Sequence, residues 1–208
     1  MDRPQRPLKK LPYLLEKIRI GLNKDNKGNE YDSINLYFQD ESRFGLMTHI
    51  GRCLTARGVK PVVRYQHAFK NTYLYGCFSP INGDSFVSEI AGVSSEIFYN
   101  YLVDFSQHKP KEYKIVIIDN AGFHSLKNYT LPDNIHLLRI PPYTPELNPA
   151  EKIWGYIKQH YKNKVFENLN NIRDWLEEFV IKNIDNERVK SITHTNLYNN
   201  AFIGSLDL

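Results

Sequence analysis

Cysteine is nearly absent: Cys53 and Cys77 are the only two in 208 residues. Two thiols make no disulfide framework, and neither has the spaced neighbours of a zinc site, so both are expected to be buried and free. Long apolar runs are missing as well. No stretch approaches the roughly 20 residues a membrane helix needs, and the N-terminal MDRPQRPLKKLPYLLEK lacks the unbroken apolar core of a secretory signal. An intracellular, cytoplasmic protein with no membrane partner is expected. The chain has no G-x-S-x-G elbow, no P-loop, no G-x-G-x-x-G and no H-E-x-x-H, which removes the usual serine-hydrolase, nucleotide-binding and zinc-protease readings. Internal repeats and low-complexity tracts are also lacking.

What is present suits one globular domain. Hydrophobic residues make up 41% and charged residues 24%, enough apolar material for a core and too little charge for a disordered chain. The net charge of +4 is a weak pointer to a polyanionic partner. Its distribution says more: Arg3, Arg6, Lys9 and Lys10 crowd the N-terminus, and Lys158, Lys162 and Lys164 crowd a later segment.

Prolines and the polar run NKDNKGNE mark residues 1–32 as an arm or linker. INLYFQD then alternates apolar and polar positions at period two, predicting a strand with Asp40 at its C-terminal end. FGLMTHIGRCLTA, KPVVRYQ and NTYLYGCFS, rich in β-branched and aromatic residues, predict successive antiparallel strands. Ser94 and Ser95 precede EIFYNYLVDFSQH, in which Ile97, Tyr101, Leu102 and Phe105 recur at helical spacing. YKIVIID predicts a strand buried on both faces and ending in Asp119, and IHLLRI a shorter one. After PPYTPE, the segment LNPAEKIWGYIKQHYK predicts a helix with Asn148 as N-cap, Pro149 at the first helical position and Glu151 in the first turn. NIRDWLEEFVIKNI predicts a further helix, followed by a polar tail. The expected division is an arm over 1–32, a core over 33–165 and a C-terminal helix and tail over 166–208.

Two acids at strand ends and a third at a helix start can meet in the crevice beside the C-terminal ends of strands. Converging carboxylates repel, and they are tolerated when they share protons or bind cations. Magnesium accepts hard oxygen ligands and keeps waters and phosphates in its shell. Two such ions about 4 Å apart can activate the attacking oxygen and stabilise the leaving one in phosphoryl displacement.

FQDESRFGL, VIIDNAGFH and PPYTPELNPAEKIWGYIK resemble the three acidic signatures of the DDE catalytic domain of mariner-superfamily transposases, in its bacterial insertion-sequence branch. The resemblance spans roughly residues 33–165 and implies an α/β, RNase H-like fold with a mixed central sheet and flanking helices. It implies catalytic, metal-binding roles for Asp40, Asp119 and Glu151, with two Mg2+ or Mn2+ ions. It also implies double-stranded DNA as partner, both element ends and target, and a homodimer in the active complex. The helix-turn-helix region that reads terminal repeats in this family finds no matching segment, which fits three cases: the second product of a split reading frame, with a separate recognition chain, a truncated form or a decayed copy.

Among the remaining residues, Lys158 and Lys162 share a helical face beyond Glu151 and, with Arg43, are candidates for phosphate contact. His124, five residues after Asp119, is a further candidate for contacting nucleic acid or for supporting a ligand. Glu41 follows Asp40 directly and should point to the opposite face of the strand, in a structural role or behind a metal ligand. Trp154 reads as a core anchor and Glu146 as solvated. Two other functions fit the same residues: a plain nuclease of RNase H type, and a non-catalytic DNA-binding or dimerisation partner that inhibits a full-length transposase.

Overall fold

The computed structural model describes residues 13, 30–52, 54–60, 62, 64–140 and 148–194. Nearly all of the expected arm, Cys53, the PPYTPE turn with Glu146, and the tail beyond residue 194 lie outside these residues.

The backbone of the fold is a five-stranded sheet ordered β3-β2-β1-β4-β5. Strands β1 (Ser33–Gly45), β2 (Asn71–Phe78) and β3 (Ser85–Ile90) form an antiparallel meander. Strands β4 (Glu112–Ile118) and β5 (Ile135–Arg139) run parallel to β1. Every residue of β4 is buried, as its unbroken apolar run requires of a strand covered on both faces.

The alternation of β1 explains the layers. Leu36, Phe38 and Phe44 face one core, shared with Ile115 and Ile117 of β4 and with two helices, α2 (Ala150–Tyr161) and α3 (Leu169–Asn183). Tyr37, with Val116 and Ile118, faces a second core, closed by Phe98, Tyr101, Leu102 and Phe105 of α1 (Ser95–Gln107). Each such fully buried side chain contributes about 1.5–3 kcal/mol of transfer free energy, so neither helix layer is an ornament on the sheet. Ser94 starts α1 as expected, its side chain accepting from the Ile97 N–H. Cys77 is buried and free.

Four expectations are corrected. First, β1 does not stop at Asp40 but runs five residues further. Its parallel ladder with β4 ends at the Phe38–Ile117 pair, while its antiparallel ladder with β2 continues to Gly45. Asp40 therefore lies just beyond the end of the parallel ladder, inside a strand. Second, the segments between Leu46 and Lys70 hold no strand among the described residues, and Ser85–Ile90 supplies the third strand instead. The β-rich composition of 46–70 misleads because Ile50, Leu54, Val62 and Phe69 are exposed, with no neighbouring strand or core to pack against. Third, the tail contains a short helix, α4 (Asn186–Thr193), capped by Asp185, which accepts from the Arg188 N–H. Only Val189 and Thr193 are buried on it, too sparse an apolar stripe to show in the sequence.

The fourth correction concerns the start of α2. Pro149, not Asn148, occupies the cap position. Asn148 is buried and reaches two ways: its Oδ1 accepts from the Ala150 N–H at 3.1 Å, and its Nδ2 donates to the Gln39 carbonyl at 2.9 Å. The side chain thus ties the first turn of α2 to β1, one residue from Asp40. Glu151 extends into solvent from that turn.

Candidate metal centre and nucleic-acid face

Strand parity decides where the two strand acids point. Leu36, Phe38 and Asp40 alternate onto one face of β1. The last parallel pair is Phe38–Ile117, and Asp40 and Asp119 each lie two residues beyond it, so both acids leave the same end of the ladder. This is the face that α2 covers, and the Asn148 tie brings the first turn of α2, with Glu151, to the same place. Gly76 faces Asp40 across the β1–β2 ladder, where a Cβ would sit 2.5 Å from the Phe78 ring and 2.7 Å from Trp154. A glycine here lets Trp154 pack edge-on against Phe78, their centroids 5.2 Å apart, which anchors α2 over this part of the sheet. Trp154 is the core anchor expected of it.

The electrostatics record the convergence. Asp40's carboxyl is pushed up to about 7, by burial first, then by the adjacent Glu41, with Glu151 and Asp119 adding to it. The three sequence-predicted acids therefore act on one another, although they come from three separate segments. Among the described residues, no three His, Cys, Asp or Glu side chains are gathered closely enough to hold an ion as they stand. Asp119 is held aside: its Oδ1 accepts from the Ala121 N–H at 2.8 Å and lies 2.7 Å from His124 Nδ1. The donor set nonetheless suits magnesium or manganese. It is all carboxylate oxygen, with Asp40 raised by burial first and by the neighbouring acids after it, and it is open to solvent through Glu151 and the half-exposed Asp119.

Cations border the acids. Lys158 lies over the Phe44 ring, 5.9 Å from its centroid, and burial pulls it below the usual lysine range, with Arg43 lowering it further while Asp40 and Glu151 oppose. Burial also lowers His49, and Lys158, Arg43 and Lys162 add to that effect, so these four groups form one cluster. Residues 46–52 are fastened to the end of α2 by Asn163, whose N–H donates to the His49 carbonyl at 2.9 Å and whose Oδ1 accepts from the Gly51 N–H at 2.8 Å. Tyr161 adds a bond from its hydroxyl to the Gly45 carbonyl at 2.6 Å. Arg43, Lys158 and Lys162, proposed separately from the sequence, are thus brought together on the side of Asp40 and Glu151.

His124 does not join them. It is 1% exposed, between the rings of Phe98 and Phe123, apart from these cations, so of its two expected roles the support of a ligand is the one this burial favours. Glu41 does point to the opposite face from Asp40, where its Oε1 lies 3.1 Å from His124 Nε2. One basic stretch escapes a search for dense charge clusters: from Ser42 to Gly83 the chain has no Asp or Glu, while Arg43, Arg52, Arg57, Lys60, Arg64 and Lys70 fall within it. Counting the sign of charge along the chain, rather than its local density, exposes this stretch.

The family described as DDE superfamily endonuclease matches residues 35–173. An uncharacterised protein, y4pE/y4sA of Sinorhizobium fredii (strain NBRC 101917 / NGR234), is 28% identical over 102 residues, covering 48% of this chain and 76% of that protein. Among solved structures, the Mos1 transposase paired-end complex with left transposon end superposes with a TM-score of 0.61 at 13% identity, over 99% of this chain and 64% of the other. The mariner Mos1 paired end complex with Mg gives a TM-score of 0.63 at 14% identity, over 99% and 64%. The chain thus spans just under two thirds of the length of these Mos1 chains. At this identity the likeness establishes the fold, the RNase H-like mixed sheet with flanking helices.

Proposed function

The chain belongs to the DDE superfamily endonucleases, and on that footing we propose that it is the catalytic core of a cut-and-paste DNA transposase, with Asp40, Asp119 and Glu151 as ligands for divalent metal. One observation carries this reading: acids from three separate segments raise the pKa of Asp40 together, beside a cluster of cations. Bound by these carboxylates, Mg2+ or Mn2+, as two ions, would activate the attacking oxygen and stabilise the leaving one. Asp40 and Asp119 would hold the metal as carboxylates, and Glu151, exposed in the first turn of α2, would complete the donor set. Arg43, Lys158 and Lys162 take up DNA phosphates, so that the scissile bond lies across the carboxylates.

Double-stranded DNA is the proposed substrate, first as element ends and then as target, with a dimer holding two ends. Incubation of the full chain with labelled terminal-repeat duplex should give strand breaks in Mg2+ or Mn2+, none in excess chelator, and joined products when target DNA is added. Cleavage that persists in chelator overturns the metal assignment. Cleavage without joining supports the plain nuclease instead.

The cation cluster gives a separate expectation. Phosphate contacts add affinity without sequence information and make it salt-dependent. Replacing Lys158 and Lys162 by alanine should weaken binding equally to terminal-repeat and scrambled duplexes. It should also flatten the dependence of log Kd on log salt by about 1 for each lysine that pairs with a phosphate. Fluorescence anisotropy at three salt concentrations measures both. An unchanged salt slope removes these lysines from the DNA face.

A further inference from the structure

A chain of polar groups runs beside the second core, with the ring of His124 packed against Phe98. Gln39 Nε2 donates to Glu41 Oε1 at 2.7 Å, and the same oxygen lies 3.1 Å from His124 Nε2. On the other side of the ring, His124 Nδ1 is 2.7 Å from Asp119 Oδ1, an ion-pair contact without hydrogen-bond geometry, so that Nδ1 is a buried nitrogen with no hydrogen bond among the described residues. The side chain of His124 is 1% exposed and that of Glu41 is 10% exposed, whereas Asp119 is 48% exposed. The line therefore starts inside the protein and ends on an acid at its surface. A buried charged group needs a partner, yet an apolar pair of the same volume would fill this space against Phe98 at less desolvation cost.

The surroundings fix the ring as well as its ends. Its centroid is 4.3 Å from that of Phe98 and 4.5 Å from that of Phe123, so it cannot turn freely. Backbone bonds close the 119–124 loop: the His124 N–H donates to the Ala121 carbonyl at 3.0 Å, and Arg139 donates to the carbonyls of Asp119 at 3.2 Å and His124 at 2.6 Å. Asp119 Oδ1 thus lies between the Ala121 N–H and the His124 ring, while the side chain as a whole is 48% exposed.

We propose that Glu41 and His124 are positioning residues for Asp119: Glu41 holds the imidazole, and the imidazole holds one carboxylate oxygen so that the other is presented to metal. This rests on Asp119 being a metal ligand, as proposed above. Groups behind a metal ligand commonly change metal affinity by about 10–100-fold when removed. An effect of that size is expected here.

The test is Mn2+ binding to the full chain without DNA, followed by the electron paramagnetic resonance signal of free Mn2+, with circular dichroism to verify folding. Glu41→Ala and His124→Asn should each weaken Mn2+ by about 10–100-fold, while Glu41→Gln, which keeps an oxygen able to accept from His124, should stay close to the parent. The Mn2+ concentration giving half-maximal DNA cleavage should move by the same factors, with the rate recovering at saturating Mn2+. Should Glu41→Ala fail to fold, Glu41→Asp keeps the charge but withdraws the oxygen by one methylene, and it should weaken Mn2+ in the same way. Parental affinity in folded Glu41→Ala or Glu41→Asp overturns the proposal. So does an equal change in Glu41→Gln and Glu41→Ala, since that would be a long-range charge effect. A parent chain that binds no Mn2+ removes the metal reading itself, and this inference with it.

Discussion

Glu151→Gln should unfold within about 1 kcal/mol of the parent and yet lose nearly all strand cleavage. The bland alternative for this residue is a helix cap, in which a first-turn glutamate accepts from the backbone N–H three residues before it. Its geometry is not found here: the hydrogen bonds at the start of α2 run from the Ala150 N–H to Asn148 Oδ1 and from the Glu151 N–H to the Asn148 carbonyl, while Asn148 Nδ2 donates to Gln39 on β1. Glu151 is exposed and contributes to Asp40 only through its charge. Gln keeps the shape and removes the charge, so a fold role predicts little change and a metal role predicts silence. Thermal unfolding and cleavage measured on one preparation separate them. Cleavage near the parental rate would take Glu151 out of the metal site.

Local pattern carried much of this fold into view. The period-two alternation of β1, the apolar run of β4 and the serine before α1 are each dictated by neighbouring residues, and each lies where the pattern puts it. The end of a ladder is different. β1 continues past Asp40 because β2 folds back to pair with Glu41 through Gly45, and that partner is some thirty residues away in sequence. The same holds for Asn148, whose short-range signature reads as a cap but whose amide finds the Gln39 carbonyl across the core. Composition failed for 46–70, where the described β-branched and aromatic residues lie outside any sheet.

The acids themselves were legible as types and positions; their mutual effect was not. Parity alone predicts that Glu41 leaves the face of Asp40, yet its partner His124 is set by the turn after β4 and by the ring of Phe98, neither of which is visible from the strand. Burial of His124 likewise depends on α1 packing over it, which turns a candidate phosphate ligand into an interior group.

In metal-free buffer, Asp40→Asn should be more stable than the parent, increasingly so as pH rises from about 4 to 7 and evenly so above. Asp40's carboxyl sits near 7 in the folded chain against an ordinary 3.8, with burial as the largest cause and the charges of Glu41, Glu151 and Asp119 behind it. A folded pKa raised above the unfolded one means the native state favours the protonated acid. Stability is then intact below the unfolded value and is lost as pH climbs through the folded one. At about 1.4 kcal/mol per pKa unit, the full effect would approach 4 kcal/mol, and water reaching a partly buried group should bring it to about 1–3 kcal/mol. For a chain of this size that is a rise of roughly 2–10 °C in unfolding temperature at pH 8. Asn is nearly isosteric with the protonated acid, so the two proteins should converge toward pH 4. Mn2+ at pH 8 should raise the unfolding temperature of the parent and leave that of Asp40→Asn nearly unmoved, because the charge that destabilises the empty site is the charge that binds the metal. Unfolding curves at pH 5, 6.5 and 8, with and without Mn2+, measure all of this. If Asp40→Asn is less stable than the parent at pH 8, or if its advantage does not change with pH, Asp40 is not held in the conflict of charges on which the proposed metal site depends.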